Sequence, residues 1–372
     1  RDAWYNRDMN FKYTGNYSRS FSPLDRLNLH LSVSYTRQNS FEQRLISRDN
    51  LVLSDRLDEG TTEGRILFGS YLGQRWINGD VWNIYADANY NFRHFTGDFL
   101  HSWLAGVTYR NDFNKGDGIT FDPIYPPMLS STSPRLRTYN DLPAYNILSI
   151  YAEDRITGRL WRPFTLQVGV RYEVFRPTGF NIEGLWGKGD LIESGNGSFL
   201  NPRINFSYNL FEDTQIRLSY GTTAKSPPMG MIFAERRFYD IVDTVAVINP
   251  LYPDSNFSLI TTHIREQANE NIRGYTQKKY EASIDQQIDF FGFSITGFIN
   301  NTSGMFQSYS LPTAFYRRSY PDWPDLSTGT IKDTILETYN QFTNNGWLNV
   351  KGIEFTLRTK RIPVINTVFR FD

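Results

Sequence analysis

Apolar and polar side chains take turns along most of this chain. Leu27, Leu29, Leu31, Val33 and Tyr35 interleave with Asn28, His30, Ser32 and Ser34. Phe164, Leu166, Val168, Val170, Tyr172 and Val174 interleave with Thr165, Gln167, Gly169, Arg171 and Glu173. Ile204, Phe206, Tyr208 and Leu210 do the same with Arg203, Asn205, Ser207 and Asn209, and the period returns over residues 82–92, 216–220, 280–288 and 353–357. Successive strand side chains point to opposite faces, so a period of two predicts strands with one greasy and one wet face. Several of these segments outrun the average soluble strand of roughly five or six residues. They approach the roughly nine to eleven residues that cross a bilayer at a tilt.

The wet face carries charge at Glu153, Arg155, Arg171, Glu173, Arg203, Arg217, Glu354 and Arg358. The core of a soluble sandwich would not hold unpaired charges, because burying them is expensive, whereas a wide water-filled lumen would. Connections alternate in length. Short ones fall at residues 22–25, 96–98, 158–163, 212–214 and 290–292, and long ones over 39–60, 114–142, 177–199, 225–275 and 306–345. Short turns on one side and long loops on the other are the habit of outer-membrane barrels. The expected fold is therefore all-β, a transmembrane antiparallel β-barrel. Counting strand direction leaves residues 39–80 outside the membrane or holding an even number of strands, and an external hairpin is expected near 64–77. No repeat of propeller or solenoid length is visible.

Composition changes the picture in three ways. Aromatic residues make up 16% of the 372 residues, while hydrophobic content is only 40%. A barrel reconciles these figures, since only alternate residues meet lipid. The formal net charge is zero, which argues against a nucleic-acid binder held by a basic surface. There is no Cys, so disulfides and thiolate metal sites are excluded. No apolar run reaches the length of a membrane-crossing helix. The chain opens at Arg1 without a signal-peptide pattern and is expected to be a mature or partial chain lacking an N-terminal part.

Aromatics gather near strand ends at Trp4, Tyr5, Trp82, Trp103, Trp161, Trp347 and the Phe290-Phe291 pair, the expected interfacial girdles. Catalytic signals are poor. His30, His94, His101 and His263 show no metal-ligand spacing, and neighbours such as Glu153 and Asp154 must point to opposite faces. No phosphate loop or nucleophile elbow is present, so neither an enzyme, a metal nor a cofactor is expected. If residues 143–157, 163–175, 200–210 and 214–224 are neighbouring strands, their charges line one inner wall. Such a wall could grip a plug or steer a solute, or merely hydrate the lumen. Tyr125, Trp186, Tyr239, Tyr252, Tyr309, Tyr316 and Trp323 in the long connections are candidate solute contacts, because a ring with a polar tip suits recognition; packing within the loops is the alternative.

Four stretches carry a resemblance. Residues 148–176 (LSIYAEDRITGRLWRPFTLQVGVRYEVFR) resemble a transporter hairpin in which YAQDE precedes L-x-L-x-x-G-x-R-Y-D. Residues 201–228 (NPRINFSYNLFEDTQIRLSYGTTAKSPP) resemble P-R-x-x-x-x-Y, L-R-x-S-Y-G and R-x-P in that order. Residues 268–281 sit where N-P-x-L-K-P-E and Y-E-x-G would stand, without the usual prolines, and residues 346–357 (GWLNVKGIEFTL) complete the series. The chain thus resembles the barrel of TonB-dependent outer-membrane receptors, with loops most similar to those of Bacteroidota of the SusC-like or carboxypeptidase-regulatory-like type. That resemblance implies a closed barrel of about 22 strands, of which about twelve or thirteen are read here. The N-terminal plug domain and the closing C-terminal strands would then lie outside this chain. It also implies an integral outer-membrane location, energy from TonB through the plug, uptake of a scarce large solute such as a glycan, peptide or siderophore, and a surface lipoprotein lid as partner. The other reading is a non-transporting barrel that anchors an envelope complex. A passive porin fits less well, given such long loops.

Overall fold

A computed structural model describes residues 2–47, 51–127, 134–246, 256–361 and 367–371. The strands, in chain order, are β1 (Ala3–Ser22), β2 (Asp25–Ser47), β3 (Leu51–Leu53), β4 (Gly60–Glu63), β5 (Arg65–Leu67), β6 (Ser70–Thr96), β7 (Phe99–Asn114) and β8 (Gly118–Phe121). They continue with β9 (Tyr145–Arg159), β10 (Pro163–Phe175), β11 (Pro177–Phe180), β12 (Ile192–Ser194), β13 (Ser198–Phe211) and β14 (Thr214–Lys225). The remainder are β15 (Arg237–Ala246), β16 (Phe257–Arg265), β17 (Tyr275–Ile288), β18 (Phe291–Ser319), β19 (Thr330–Thr359) and β20 (Arg370–Phe371). One antiparallel sheet of 13 strands follows the order β1-β2-β6-β7-β9-β10-β13-β14-β17-β18-β19-β20, with β8 beside β6. Twelve strands along the path agree with the number read from the alternation.

Register keeps like with like across most of the sheet; Asp154, opposite Val168, is an exception on the apolar face. Val168 lies between Asp154 and Ile204, Val33 opposite Ile84, and Tyr220 opposite Tyr280 on the apolar face. On the other face Gly169 lies between Glu153 and Arg203, and Arg217 opposite Ser283. A one-residue slip would turn each strand's greasy set inside out, so the pattern itself fixes the pairing. The apolar face stays uncovered by protein: Leu29, Leu31, Val107, Ile150, Val168, Val170, Ile204, Leu218 and Ile353 are all exposed. An apolar surface of this extent is a lipid- or partner-facing surface. It ends in aromatic rows. Phe11, Tyr35, Trp82 and Phe113 form a chain of ring contacts at 4.8–6.4 Å across β1, β2, β6 and β7. Just beyond them Arg37 pairs with Asp80, whose carboxylate accepts the Tyr35 hydroxyl at 2.6 Å. That polar layer marks the edge of the greasy band.

The short connections fall where the sequence placed them, at one end of the sheet. The long connections lie at the other end and contain more structure than their sequences suggested. Residues 39–47 continue β2, and residues 70–80 are the outer part of β6 rather than half of a separate hairpin. The expected hairpin is smaller: β3 pairs with β5. No additional crossing strand is needed. Residues 306–319 and 330–345, read as loop, extend β18 and β19 into one long hairpin. Outside the greasy band both faces meet water, so a strand there no longer has to alternate, and period two loses it. The 177–199 connection folds into the β11–β12 hairpin, and the 225–275 connection into β15–β16, with β4 added to its edge.

Two small cores tie this outer layer to the wall. Tyr145, Phe175, Ile232, Phe233 and Ile272 pack together where β9 and β10 end. Tyr239, Ile241 and Phe315 join β15 to the β18 extension. Asparagines close the 268–272 segment in place of the absent prolines. Asn196 donates to the Ile272 and Glu270 carbonyls at 2.7 and 3.1 Å, and Asn269 to the Phe342 carbonyl at 2.8 Å.

Candidate functional site

The polar face is a nearly continuous hydrogen-bonded wall. Ser18 donates to Asn28, Asn28 to Asn89, Asn89 to Asp87, and the Tyr151 hydroxyl to Asp87, at 2.6–3.0 Å. Arg171 reaches Thr108 and Ser149 at 3.2 and 3.1 Å, pairs with Glu173 at 3.0 Å, and stands over the Tyr151 ring. Asn201 donates to the second Glu173 oxygen at 2.7 Å. Gln167 joins Glu153 to Asn205, at 2.5 and 3.2 Å. Arg217 grips Asp285 with two bonds at 2.5 and 2.8 Å, and Glu281 holds Lys279 and Ser219. Cross-strand polar pairs of this sort each contribute about 0.2–1 kcal/mol. Their number, rather than any single pair, stiffens the wall.

All eight wall candidates take the register of this polar face. Glu153, Arg171 and Glu173 are committed to neighbours. Arg155, Arg203, Glu354 and Arg358 have no hydrogen-bond partner among the described residues. Arg155, Arg217 and Glu354, from β9, β14 and β19, converge on a groove of about 530 Å³ that Gln167, Ser219 and Glu281 also line. Arg358 belongs to a second groove, at the short-turn end, of about 790 Å³ with Asp213, Asp285 and Lys360. Arg203 stands apart, beside Gly221. Charges of both signs with unspent hydrogen-bonding capacity can hold a polar surface laid against them.

The seven outer aromatics separate by packing. Tyr239 is 1% exposed and donates its hydroxyl to the Thr338 carbonyl at 2.6 Å, so it is a core residue and not a solute contact. Trp323 packs against Phe257 at 5.7 Å. Tyr309 and Tyr316 sit on the β18 extension rather than in a loop, and both are exposed. Trp186 is 74% exposed, and Tyr125 is exposed beside Tyr71. Tyr252 lies outside the described residues. Sequence reading missed a buried ion pair in the same layer. Arg135 bonds both Asp240 oxygens at 3.0 and 3.1 Å, donates to the Arg56 carbonyl, and covers the Phe238 ring. Nothing in the alternation signals it, because its partners come from separate connections. It forms one side of a cavity of about 390 Å³ lined by Leu53, Arg56, Arg65, Phe121 and Leu136. Burial also shifts ionisation here. It raises the Glu235 and Asp243 carboxyls, against the pull of Arg137 and of the Arg318 N–H respectively, and it lowers His263.

A family model described as TonB dependent receptor-like, beta-barrel matches residues 1–371. The chain belongs to that family. The barrel is an integral outer-membrane structure; the family comprises receptors for transport, not enzymes. In this setting the apolar face meets lipid and the polar wall lines the lumen. No curated protein matches the sequence. Among solved structures, the RagAB peptide transporter is 12% identical with a TM-score of 0.54, over 96% of this chain and 35% of that one. The siderophore receptor PirA from Acinetobacter baumannii is 13% identical with a TM-score of 0.50, over 96% and 51%. A ferric enterobactin receptor (PfeA) variant from Pseudomonas aeruginosa is 14% identical with a TM-score of 0.50, over 98% and 50%. Identities this low speak to fold alone. The chain spans from about a third to about half the length of these structures.

Proposed function

We propose that this barrel wall serves an active outer-membrane transporter that takes up a large polar solute with energy relayed by TonB. The carrying observation is the lumenal groove in which Arg155, Arg217, Glu281 and Glu354 meet. A purely structural barrel needs no free charges of both signs on its lumenal face, such as Arg155 on β9 and Glu354 on β19, set beside the paired Arg217 and Glu281. A transporter uses them twice, to seat a plug while closed and to give a solute a wetted path while open. On this reading the plug domain and further strands complete the barrel. The lumenal charges Glu153, Arg155, Arg171, Glu173, Arg203, Arg217, Glu354 and Arg358 face the plug. Trp186, Tyr125, Tyr309 and Tyr316 are the exposed rings available to a solute or to a lipoprotein lid.

The test is depletion of a mixed medium of peptides, oligosaccharides and ferric chelates, followed by mass spectrometry. Cells with and without the gene are compared, each with TonB present and deleted. The proposal expects one class to disappear from the medium only when both gene and TonB are present. Depletion that persists without TonB removes the active-transport reading. Depletion that never depends on the gene favours the anchoring role.

A further inference from the structure

The apolar face carries one cluster that lipid alone does not explain. His94 of β6 lies directly opposite His101 of β7, and Trp103 directly opposite Asp154 of β9, all on the lipid side. His101 Nδ1 and Asp154 Oδ2 are 2.7 Å apart. The His94 and His101 rings stack at 4.9 Å, and Phe92 and Trp103 continue the row at interplanar angles of 20° and 11°. Four near-parallel rings therefore form a row, with the carboxylate at the edge of the His101 ring. Asp154 is 8% exposed, and its second oxygen, Oδ1, has no partner; His94 Nδ1 has none either. Asp154 is the one acidic side chain, among the described residues, that the register places on this face between the Arg37–Asp80 layer and the turn at Asp25. Basic residues on this face, such as Arg19 opposite Leu27 and Lys351 opposite Ile299, stand on β1 and β19 rather than on β6, β7 or β9. Among the described residues no group of His and carboxylates is placed to hold a metal ion.

An ionisable group on a lipid face is costly and calls for a partner. His101 supplies part of that need and leaves an acceptor unspent. The cluster lies toward the short-turn end, starting two residues beyond Tyr90 on β6, where headgroups replace acyl chains. We propose that it is a binding site for a phospholipid headgroup bearing a primary ammonium. The ammonium would rest on the exposed Trp103 ring and its stacked neighbours, drawn by the ring faces and by the charge of the neighbouring Asp154. Carboxylate and rings both favour a cation, so an anionic headgroup should be disfavoured. The inference rests on the apolar face meeting lipid and is independent of what the lumen carries.

The experiment is native mass spectrometry of the intact, detergent-extracted protein titrated with phosphatidylethanolamine or with phosphatidylglycerol. Preferential retention of phosphatidylethanolamine is expected. Asp154→Asn and Trp103→Leu should each weaken it roughly three- to thirtyfold, the range of one cation–ring contact. Barrel folding is read in parallel from heat-modifiable gel mobility. Trp103→Leu keeps the His101–Asp154 pair, so it tests the site even if Asp154→Asn fails to fold. Equal retention of the two lipids, preference for phosphatidylglycerol, or an unchanged preference in folded Trp103→Leu would each overturn the proposal.

Discussion

Arg135→Ala should unlock the outer layer while leaving the barrel intact. Arg135 and Asp240 have side chains only 6% and 5% exposed, and the guanidinium reaches both carboxylate oxygens at 3.0 and 3.1 Å. Truncating it also removes the bond to the Arg56 carbonyl at 2.9 Å and the cover over Phe238. Asp240 would keep only the Thr262 hydroxyl at 2.7 Å, too little for a buried charge. Removing one partner of a buried pair costs about 3–5 kcal/mol, which raises the open population of the layer by roughly two to three and a half orders of magnitude. Hydrogen exchange followed by mass spectrometry reads this directly. Amides of residues 237–246 and 257–265 should lose protection, while those of 163–175 keep theirs. Replacing both partners, as Arg135→Met with Asp240→Leu, should restore most of the protection, because no orphan charge remains. A loss below about 0.5 kcal/mol in Arg135→Ala would refute the reasoning, since that is the scale of an exposed pair.

Other substitutions test other parts of the account. Val168→Arg, on the lipid face, should destabilise the folded barrel by about 2–4 kcal/mol near mid-bilayer, while Thr165→Arg, on the lumenal face of the same strand, should change it little; urea unfolding from vesicles separates them. Gly118 has φ +79, and a Cβ there would run into the Arg137 carbonyl that Ile119 bonds at 2.8 Å. Gly118→Ala should therefore cost about 1–2 kcal/mol or more and expose β8 to protease. His263 is held below its usual 6.5 by burial, outweighing Glu59 and Asp243, which favour its charged form. The folded state then binds fewer protons than the unfolded one, so the β15–β16 sheet should lose stability as pH falls from about 6.5 toward the folded value. Exchange protection of 257–265 should drop as pH falls below about 6.5, and less so in His263→Gln; a flat profile would count against it. The raised Glu235 and Asp243 carboxyls act with the opposite sign, since they gain protons on folding, and their effect should appear at lower pH.

Strands, register and the short-turn end were legible because hydrocarbon forces alternation. Leu166, Val168 and Val170 had one allowed direction, and their neighbours followed. The eight wall charges were legible as a face for the same reason, but which of them stay free was not. Arg171 and Arg217 look alike in sequence, yet one is tied to Glu173, Thr108 and Ser149, and the other to Asp285. Those partners depend on side-chain reach across strands. Beyond the greasy band the signal fails altogether: Gln307, Ser308 and Ser310 in β18 carry no alternation, although they pair with β19. Tyr239 resembled an exposed loop aromatic because its cover, Phe315, is far along the chain. The His94–His101 pair was within reach. The tight turn at residues 96–99 sets the register, and counting back from it brings the two imidazoles together.

The central claim is tested most directly by the absence of cysteine from the native chain. Single cysteines placed at each position from 164 to 173 in the membrane-embedded protein can be probed with an aqueous thiol reagent and with a lipid-borne quencher. Positions 165, 167, 169, 171 and 173 should react from water, and 164, 166, 168, 170 and 172 should be reached only from lipid. Uniform labelling, or the reverse order, would contradict a wall with hydrocarbon on one side and water on the other.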